Sequence, residues 1–294
     1  MPRCVVASLL AAAALACGSG SPASPAAPTS AANAAAAAPT LRVATFNIQH
    51  GLSNDGQYDL NYAIRTIAAL NPDIIGVQEL TRNHPAYHCE DQPQQIAQGL
   101  TAATGRTWSY IYKQEWTTTV LDCTGDTPET EGNGFFAPFP ISSSGSVDMW
   151  NGRNAIKVSL KIGPGISVMT THLQSGLLPQ NASDRVRQLG TLLPWSENQG
   201  SVRILVCDCN ANPTTPEYSQ LRAIYHDAWQ DAVAAGIATG RMDGITHKSS
   251  RIDYVWYEPG NTLQLASYEN VETPALIGIE ASDHRPQVAV FKIR

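Results

Sequence analysis

The chain has 294 residues, of which 43% are hydrophobic and 15% are charged, close to the values of ordinary globular proteins. Its 25 acidic and 19 basic side chains give a formal net charge of −6 at pH 7. This charge excludes a strongly basic protein that holds a polyanion by its summed positive charge. It is compatible with an enzyme that acts on phosphate through a bound metal ion, because the ion supplies positive charge.

The amino-terminal 40 residues differ in composition from the rest, with one basic residue and no acidic residue. An apolar run at residues 5–16 is too short to span a bilayer and precedes a stretch rich in Ala, Ser and Pro. We therefore expect a signal peptide at residues 1–16, a linker at residues 17–40 and one domain at residues 41–294. Within this domain, 25 acidic and 18 basic side chains give a net charge of −7.

The segment Ala14-Leu15-Ala16-Cys17 resembles a bacterial lipobox, in which Cys17 would carry a lipid anchor. Its first position holds Ala14 where Leu is usual, so cleavage of a plain signal peptide after Ala16 is an equal alternative. Either route predicts a secreted or cell-envelope protein. No later stretch of the sequence is apolar and long enough for a transmembrane helix, and we expect a monomer.

Four cysteines lie in the predicted domain. Cys89 and Cys123 lie in loop-like sequence, and export would permit a disulfide between them, with two free thiols as the alternative. Cys207 and Cys209 flank Asp208 on a predicted strand, where we expect both to be small buried hydrophobic side chains. A disulfide between strand residues two positions apart would be strained.

Short strands and helices alternate along the domain. Alternating and β-branched residues predict strands at residues 41–47, 74–78, 108–112, 154–162, 166–171, 203–207, 251–257 and 287–292. Helical spacing predicts helices between Asp59 and Asn71, at residues 93–104 and at residues 183–193. The segment from His84 to Gly134 is otherwise rich in turn formers, and we expect a long, partly ordered insertion there. Many strands with few crossover helices predict a layered α/β sandwich.

Polar residues gather at the ends of the predicted strands. They are Asn47, Glu79, His172, Asp208, Asn210, Asp253, Asp283 and His284. Taken singly, each has a structural explanation as a turn former, a helix cap or a hydrogen-bonded core residue. Acidic side chains are not needed there for core packing, however, and converging carboxylates repel each other unless a cation holds them.

Six blocks of sequence contain these residues, in the order 45–51, 72–79, 171–173, 208–211, 251–255 and 282–286. Together they resemble the endonuclease/exonuclease/phosphatase superfamily, which has the deoxyribonuclease I-like fold. The resemblance implies an α/β protein, built as a four-layered α/β sandwich of two packed mixed β-sheets flanked by helices. It also implies a metal-dependent phosphoesterase.

Hydrolysis of a phosphate ester requires a cation, an activated water and hydrogen-bond donors directed at the transition state. We expect Glu79 to be the main metal ligand, because a hard carboxylate suits Mg²⁺, with Mn²⁺ or Ca²⁺ as alternatives. Asn47 would bind the same metal site or a phosphate oxygen. Asp283 would support a second cation or hold the loop that carries His284.

The remaining residues of the blocks suit proton transfer and phosphate binding. His284 and Asp253 suit a base and the carboxylate that orients it, with Asp208 as a rival base. The sequence leaves open which group activates water. Asn210 would orient the scissile phosphate, and His172 and Arg153 would donate to its oxygens.

Some features depart from the family pattern or lie outside it. Near Trp108 the sequence shows no acid where some nucleases of the family carry a partner for the equivalent of His172. The other histidines of the domain are expected at the surface or at caps, apart from His50, which lies beside the predicted site. The histidines expected at the surface or at caps are His84, His88, His226 and His247.

Three functions are compatible with these residues. An exported phosphodiesterase, with a nuclease as its leading version, is favoured. A phosphoesterase acting on phospholipid or inositol-phosphate headgroups is the alternative, and exposed aromatic residues or a hydrophobic hairpin beside the site would mark it. A non-catalytic binding module is disfavoured, since none of the central acidic and histidine residues is lost.

Overall fold

The computed structural model describes residues 38–121, 123 and 128–294 of the chain. The predicted signal peptide, the lipobox at Cys17 and nearly all of the predicted linker lie outside the described residues. Within the described part of the chain, no helix has the length and hydrophobicity needed to cross a membrane.

The described residues form thirteen strands and six α-helices. The strands are β1 (Thr40–Asn47), β2 (Ile74–Arg82), β3 (Ser109–Leu121), β4 (Pro128–Ala137), β5 (Ser144–Asp148), β6 (Asn154–Leu160), β7 (Ile166–His172), β8 (Arg203–Asp208), β9 (His226–Asp227), β10 (Ala238–Gly240), β11 (Asp253–Tyr257), β12 (Leu263–Asn270) and β13 (Gln287–Ile293). The helices are α1 (Asn61–Leu70), α2 (Gln92–Thr104), α3 (Pro179–Glu197), α4 (Pro216–Arg222), α5 (Ala228–Ala234) and α6 (Thr273–Ile277).

The strands pair into two mixed sheets. Sheet I has seven strands in the order β10-β12-β13-β1-β2-β4-β3, and sheet II has six in the order β5-β6-β7-β8-β11-β9. Each sheet contains a central parallel pair, β1 with β2 in sheet I and β7 with β8 in sheet II. Each pair is flanked by antiparallel strands, β13 in sheet I and β11 in sheet II.

Three apolar clusters define four layers. The first lies between the sheets, where Leu41 and Phe135 of sheet I belong to the same cluster as Val168 and Ile204 of sheet II. A second cluster joins the other face of sheet I to α1 and α2, and a third joins the other face of sheet II to α3 and α4. The predicted four-layered α/β sandwich is therefore confirmed.

The two sheets approach each other closely at Gly76 of β2. A Cβ atom at this position would lie 2.5 Å from Thr170 Oγ1 and 2.7 Å from Val206 Cγ2, both in sheet II. Such distances are shorter than carbon contacts allow, so a side chain there would push the sheets apart. Glycine at this position therefore lets the central strands of the two sheets pack directly.

Two of the predicted helices are observed close to their predicted ranges, whereas α3 begins earlier. Asn71, at φ 46°, ends α1 in the left-handed conformation that asparagine tolerates. Helix α3, predicted at residues 183–193, begins four residues earlier, at Pro179. Proline is favoured in the first turn, and Asn181 Oδ1 accepts a hydrogen bond from the backbone nitrogen of Leu178 at 3.1 Å.

The expected insertion between His84 and Gly134 is largely regular structure. It contains α2 and most of a long antiparallel hairpin, in which β3 pairs with β4 from Ser109 opposite Ala137 outward. This hairpin forms an edge of sheet I, and β3 extends well beyond the strand predicted at residues 108–112 because its later residues are mostly polar. The structure also contains the Cys89–Cys123 disulfide, with 5.7 Å between the two Cα atoms.

We predict that replacing this disulfide, by Cys89→Ala together with Cys123→Ala, lowers the free energy of unfolding by about 3–4 kcal/mol. The reason is the chain entropy that the unfolded state regains when a loop of this length is opened. Equilibrium unfolding in urea measures the change against the oxidised wild type. Equal unfolding free energies for the two proteins would contradict the prediction.

Candidate active site

The register of the strands brings the predicted site residues to one edge of the sandwich. In sheet I, β13 runs antiparallel to β1, so the loop before Gln287 lies beside the end of β1. In sheet II, Asp208 is the register partner of both His172 and Asp253. A hydrogen bond of 3.0 Å from Asn47 Nδ2 to Asp208 Oδ2 joins the two sheets at this edge.

Glu79 lies at an irregularity in β2, where the pairing with β4 shifts register between Val77 and Leu80. Its backbone has φ 59°, in the left-handed region that a glutamate rarely adopts. The strand was expected to end at Glu79, but it continues to Arg82. A bulge of this kind redirects a side chain. Here it allows Glu79 Oε1 to accept a hydrogen bond of 2.8 Å from Asn47 Nδ2.

Asn47 connects the two carboxylates of the site. Its Nδ2 donates to both Glu79 and Asp208, while its Oδ1 accepts a hydrogen bond of 3.0 Å from the backbone nitrogen of Gln49. The backbone donor fixes the orientation of the amide, because only the oxygen can accept. The assignment of Asn47 as a metal ligand stays a prediction, and its observed contacts make it a donor to both carboxylates.

Glu79, His172 and Asp208 form the group best suited to a divalent cation. Each offers a ligand atom, and the three atoms lie within 4.8 Å of one another. Among the described residues, Glu79 and Asp208 form ion pairs only with histidines, so no lysine or arginine neutralises them. Two carboxylates and an imidazole fit a hard or borderline divalent ion such as Mg²⁺ or Mn²⁺.

His284 is held by a buried carboxylate, as its block of sequence predicted. Its Nδ1 lies 2.9 Å from Asp253 Oδ2, and its Nε2 lies 3.7 Å from Asp208 Oδ2. Burial alone would lower the pKa of His284, but Asp253, Asp208 and Asp283 raise it to about 10. In the absence of a bound cation the imidazole is therefore protonated at neutral pH.

Asp208 is buried at the centre of the site, with 1% of its surface exposed. Burial and the neighbouring Asp253 raise the pKa of its carboxyl to about 7. Asn210 adopts the left-handed conformation, and its backbone nitrogen donates to Asp208 Oδ1 at 3.0 Å. Its side chain donates to the backbone oxygen of Leu173 at 3.1 Å and lines a cavity at this edge of the sandwich.

Cys207 and Cys209, expected as free thiols, form a disulfide around Asp208. The expectation assumed an extended strand through Cys209, whereas β8 ends at Asp208 and the chain bends there. The Cα atoms of the two cysteines are consequently 5.1 Å apart, within the range that a disulfide spans. The prediction that both side chains are buried is confirmed.

Glu115 was not recognised in the sequence. His172 Nε2 lies 3.4 Å from Asp208 Oδ2, and carboxylate oxygens of Glu115 and Glu131 lie within 4.8 Å of a ring nitrogen of His172. The apparent lack of an acid near Trp108 is thus corrected, because Glu115 lies further along β3. Burial, only partly offset by Arg153, raises the pKa of Glu115 to about 7. Burial and Glu79 raise the pKa of Glu131 to about 8.

Arg153 has a different partner from the predicted phosphate. Its side chain is 3% exposed, its Nη1 lies 2.8 Å from Glu115 Oε2, and its guanidinium stacks over the ring of Trp116. It is not among the residues that line the site cavity. The predicted phosphate contact therefore has no support in the structure, because sequence position does not determine where a long side chain points.

His247, expected at the surface, lies directly on the site. Its ring stacks on that of His284, with 4.4 Å between the centroids, and its Nε2 lies 3.1 Å from Asp283 Oδ2. This hydrogen bond and the charge of His284 outweigh burial and lower the pKa of Asp283. Asp283 thus lies between two histidines, and the three residues form a second group that could hold a cation.

These side chains surround a cavity of about 570 Å³. The lining includes Gln49, His50 and Glu79 together with the loop of residues 247–250. The floor residues His172, Asp208 and His284 are all less than 10% exposed. Asp253 lies behind His284, where it contacts the imidazole without lining the cavity.

Two mixed sheets covered by helices on both outer faces, with a carboxylate and histidine site at one edge, define a deoxyribonuclease I-like protein. A sequence model of the Endonuclease/Exonuclease/phosphatase family matches residues 44–284. The chain belongs to this family, whose members are generally hydrolases of phosphoester bonds. No curated relative matches the sequence.

Solved structures share this fold at low sequence identity. An endonuclease/exonuclease/phosphatase from Beutenbergia cavernae is 21% identical, with a TM-score of 0.67 over 86% of this chain and 72% of that chain. The human Nocturnin catalytic domain, with a bound sulfate anion, is 19% identical, with a TM-score of 0.63 over 87% and 94%. ANGEL2, a 2′,3′-cyclic phosphatase in complex with adenosine-2′,3′-vanadate, is 15% identical, with a TM-score of 0.59 over 86% and 96%.

We predict that the His284–Asp253 contact makes the stability of the metal-free protein fall with rising pH. The pKa of His284 is about 10 in the folded state, against an ordinary value of 6.5. The stabilisation is therefore complete below pH 6.5 and is lost as the pH rises to about 10. Urea unfolding with chelator between pH 6 and 10 should show a steeper loss for the wild type than for Asp253→Asn. Parallel curves would contradict this assignment.

Proposed function

We propose that this chain is an exported, metal-dependent phosphodiesterase, and that nucleic acid is its leading substrate class. One observation carries the proposal. Ligand atoms of Glu79, His172 and Asp208 lie within 4.8 Å of one another beside the His284–Asp253 pair, and in the described part of the chain no lysine or arginine forms an ion pair with Glu79 or Asp208. Buried acids in this arrangement favour a bound cation, and the adjacent pair supplies proton transfer.

The site residues divide the chemistry between them. A divalent cation, Mg²⁺ in the leading version and Mn²⁺ or Ca²⁺ as alternatives, would neutralise charge that develops on the phosphate. Asp208, whose Oδ2 lies 3.7 Å from His284 Nε2, is the carboxylate placed to accept a proton. His284 presents Nε2 for proton transfer while its Nδ1 stays bonded to Asp253. Asn210, which lines the cavity, orients the phosphate, and Asn47 holds the carboxylates of Glu79 and Asp208.

Two relatives support a phosphate ester as substrate. The Nocturnin structure contains sulfate, a tetrahedral anion of the shape of phosphate, and ANGEL2 is a phosphatase bound to an adenosine-derived vanadate. The acidic chain lacks the excess of basic residues that tracks a nucleic-acid backbone. We therefore infer that recognition is concentrated at the cleaved phosphate and its metal ion.

Export is part of the proposal. Its support is the signal-like sequence at residues 1–16, the linker at residues 17–40 and the lipobox-like Cys17. The disulfides Cys89–Cys123 and Cys207–Cys209 add to this support, because disulfides persist in oxidising compartments. A secreted or cell-envelope location follows, with Cys17 as the lipid anchor in the second case.

We predict that the purified protein hydrolyses a generic phosphodiester with Mg²⁺ and loses this activity with chelator. Glu79→Ala and His284→Ala should each lower kcat by at least about a hundredfold, the usual scale for a metal ligand or a proton donor. Steady-state kinetics with bis(p-nitrophenyl) phosphate measure both effects.

Glu197→Ala and His226→Ala serve as matched controls. Glu197 is exposed, the side chain of His226 is 44% exposed, and neither residue lines the site cavity. Each control should retain the wild-type rate. Unchanged turnover in Glu79→Ala or His284→Ala would refute the assignment of these residues. A panel of plasmid DNA, RNA, sphingomyelin and inositol phosphates then identifies the substrate class.

The headgroup phosphoesterase remains the second candidate, because a specific feature favours it. Leu177 is 98% exposed and Leu178 is 59% exposed, and Leu177 lies at the mouth of the site cavity. Trp150, which is 49% exposed, lies on the same side, where its indole nitrogen donates to Asp184 near the start of α3. Adjacent exposed apolar side chains of this kind suit insertion into a lipid surface.

We predict that, if the natural substrate is a phospholipid, Leu177→Ser together with Leu178→Ser lowers hydrolysis of sphingomyelin vesicles at least about tenfold. The loss follows from the apolar surface that no longer enters the bilayer. Hydrolysis of bis(p-nitrophenyl) phosphate should not change. Val233→Ser, at an exposed apolar residue of α5, is the control. A wild type that cleaves DNA but not vesicles would exclude this candidate.

A further inference from the structure

The Cys207–Cys209 disulfide joins the two residues that flank Asp208, the central carboxylate of the site, in the sequence. Both cysteines are fully buried in the apolar cluster beneath sheet II, together with Leu173 and Trp256. The side chain of Asp208, between them in sequence, points to the opposite face and contacts Asn47, His172 and His284. The disulfide therefore lies behind the catalytic face and does not touch the cavity.

Regular pairing of the backbone ends at Asp208. Its register partners on the two neighbouring strands are His172 and Asp253, and neither strand pair continues beyond it. Past this point the chain is tied by a hydrogen bond of 2.8 Å from the backbone nitrogen of Cys209 to the oxygen of Ile252. Asn210 then adopts φ 47°, and the chain turns away.

A repulsive interaction acts on this strand end. Asp208 and Asp253 lie directly opposite each other on antiparallel strands, and they are 1% and 2% exposed. Like charges in this position destabilise a sheet, and burial increases their repulsion. A flexible strand end would let Asp208 move away from Asp253 and lose its contacts with His172 and Asn47. A covalent link between the residues on either side of Asp208 opposes that movement.

We propose that the Cys207–Cys209 disulfide is a positioning element for the reaction, which fixes the backbone on both sides of Asp208 and aims Asp208 and Asn210 into the site. This inference rests on the proposed phosphodiesterase function. The other explanation for the disulfide is that it merely fills the apolar cluster. The two explanations predict different rates of catalysis for a variant in which the bond is removed and the apolar volume is largely kept.

The chain provides a matched control in its second disulfide. Cys207–Cys209 closes a ring with a sequence separation of 2, whereas Cys89–Cys123 closes a loop with a separation of 34. A longer loop restricts the unfolded chain more, so the remote disulfide contributes more to stability. A positioning role therefore predicts opposite effects: loss of Cys207–Cys209 impairs catalysis, and loss of Cys89–Cys123 impairs stability.

The experiment compares Cys207→Ala/Cys209→Ala with Cys89→Ala/Cys123→Ala. The first pair should lower kcat about tenfold to a hundredfold with KM within about threefold, because small displacements of a catalytic group are costly. It should also raise the Mn²⁺ concentration needed for half-maximal binding, while its unfolding midpoint changes less than that of the control. The control pair should keep kcat within about twofold of the wild type.

A double-mutant cycle with Asp208→Asn tests whether the disulfide acts through Asp208. In the Asp208→Asn background, loss of Cys207–Cys209 should have little further effect on Mn²⁺ binding, because the group that it positions is already changed. Additive effects would overturn the proposal, as would a wild-type kcat in Cys207→Ala/Cys209→Ala. If that variant does not fold, Cys207→Val/Cys209→Ala restores apolar volume, and wild-type kcat in it would equally overturn the proposal.

The test of the disulfide's positioning role can be distinguished from the test of the proposed phosphodiesterase function. If the wild type hydrolyses no phosphodiester, the proposed function fails. Mn²⁺ affinity of the wild type and of Cys207→Ala/Cys209→Ala, measured by isothermal titration, still tests the positioning of Asp208. Equal affinities would then overturn the inference, and weaker binding by the variant would support it.

Discussion

The opposed carboxylates of Asp208 and Asp253 impose the strongest constraint on this structure, because buried like charges require compensation. Asp253 is paired with His284, and Asp208 accepts from Asn47, which comes from the other sheet. The polar contacts that compensate the two acids therefore also fix how the sheets meet at this edge. The apolar core sets the separation of the two sheets, and the charged edge sets their alignment.

The same constraint explains why site and fold are inseparable. His172 and Asp208, two polar residues of the cavity, are placed by the ends of strands β7 and β8, whose interiors are buried. Gly76 admits the close approach that brings those ends together. Chemistry at the edge thus depends on packing many residues away.

The buried strands were predicted well from the sequence, because a strand that is covered on both faces consists mainly of apolar and β-branched residues. The site was predicted from the polar residues that follow those strands, including Glu79 and Asp253. Of the β3–β4 hairpin only the first residues of β3 were predicted, because the polar residues that follow resemble loop sequence. Glu115 and His247 were not predicted as site residues. Glu115 comes from an edge strand and His247 from a loop, and no sequence motif connects either residue with the site.

The left-handed backbone at Glu79 has a consequence for how this protein can vary. The extra residue between Val77 and Leu80 makes the pairing of β2 irregular and at the same time directs the carboxylate. A deletion there would regularise the strand while turning the carboxylate toward a different face. Insertions and deletions in β2 would therefore disturb the site as well as the packing at Gly76, which constrains the length of this strand.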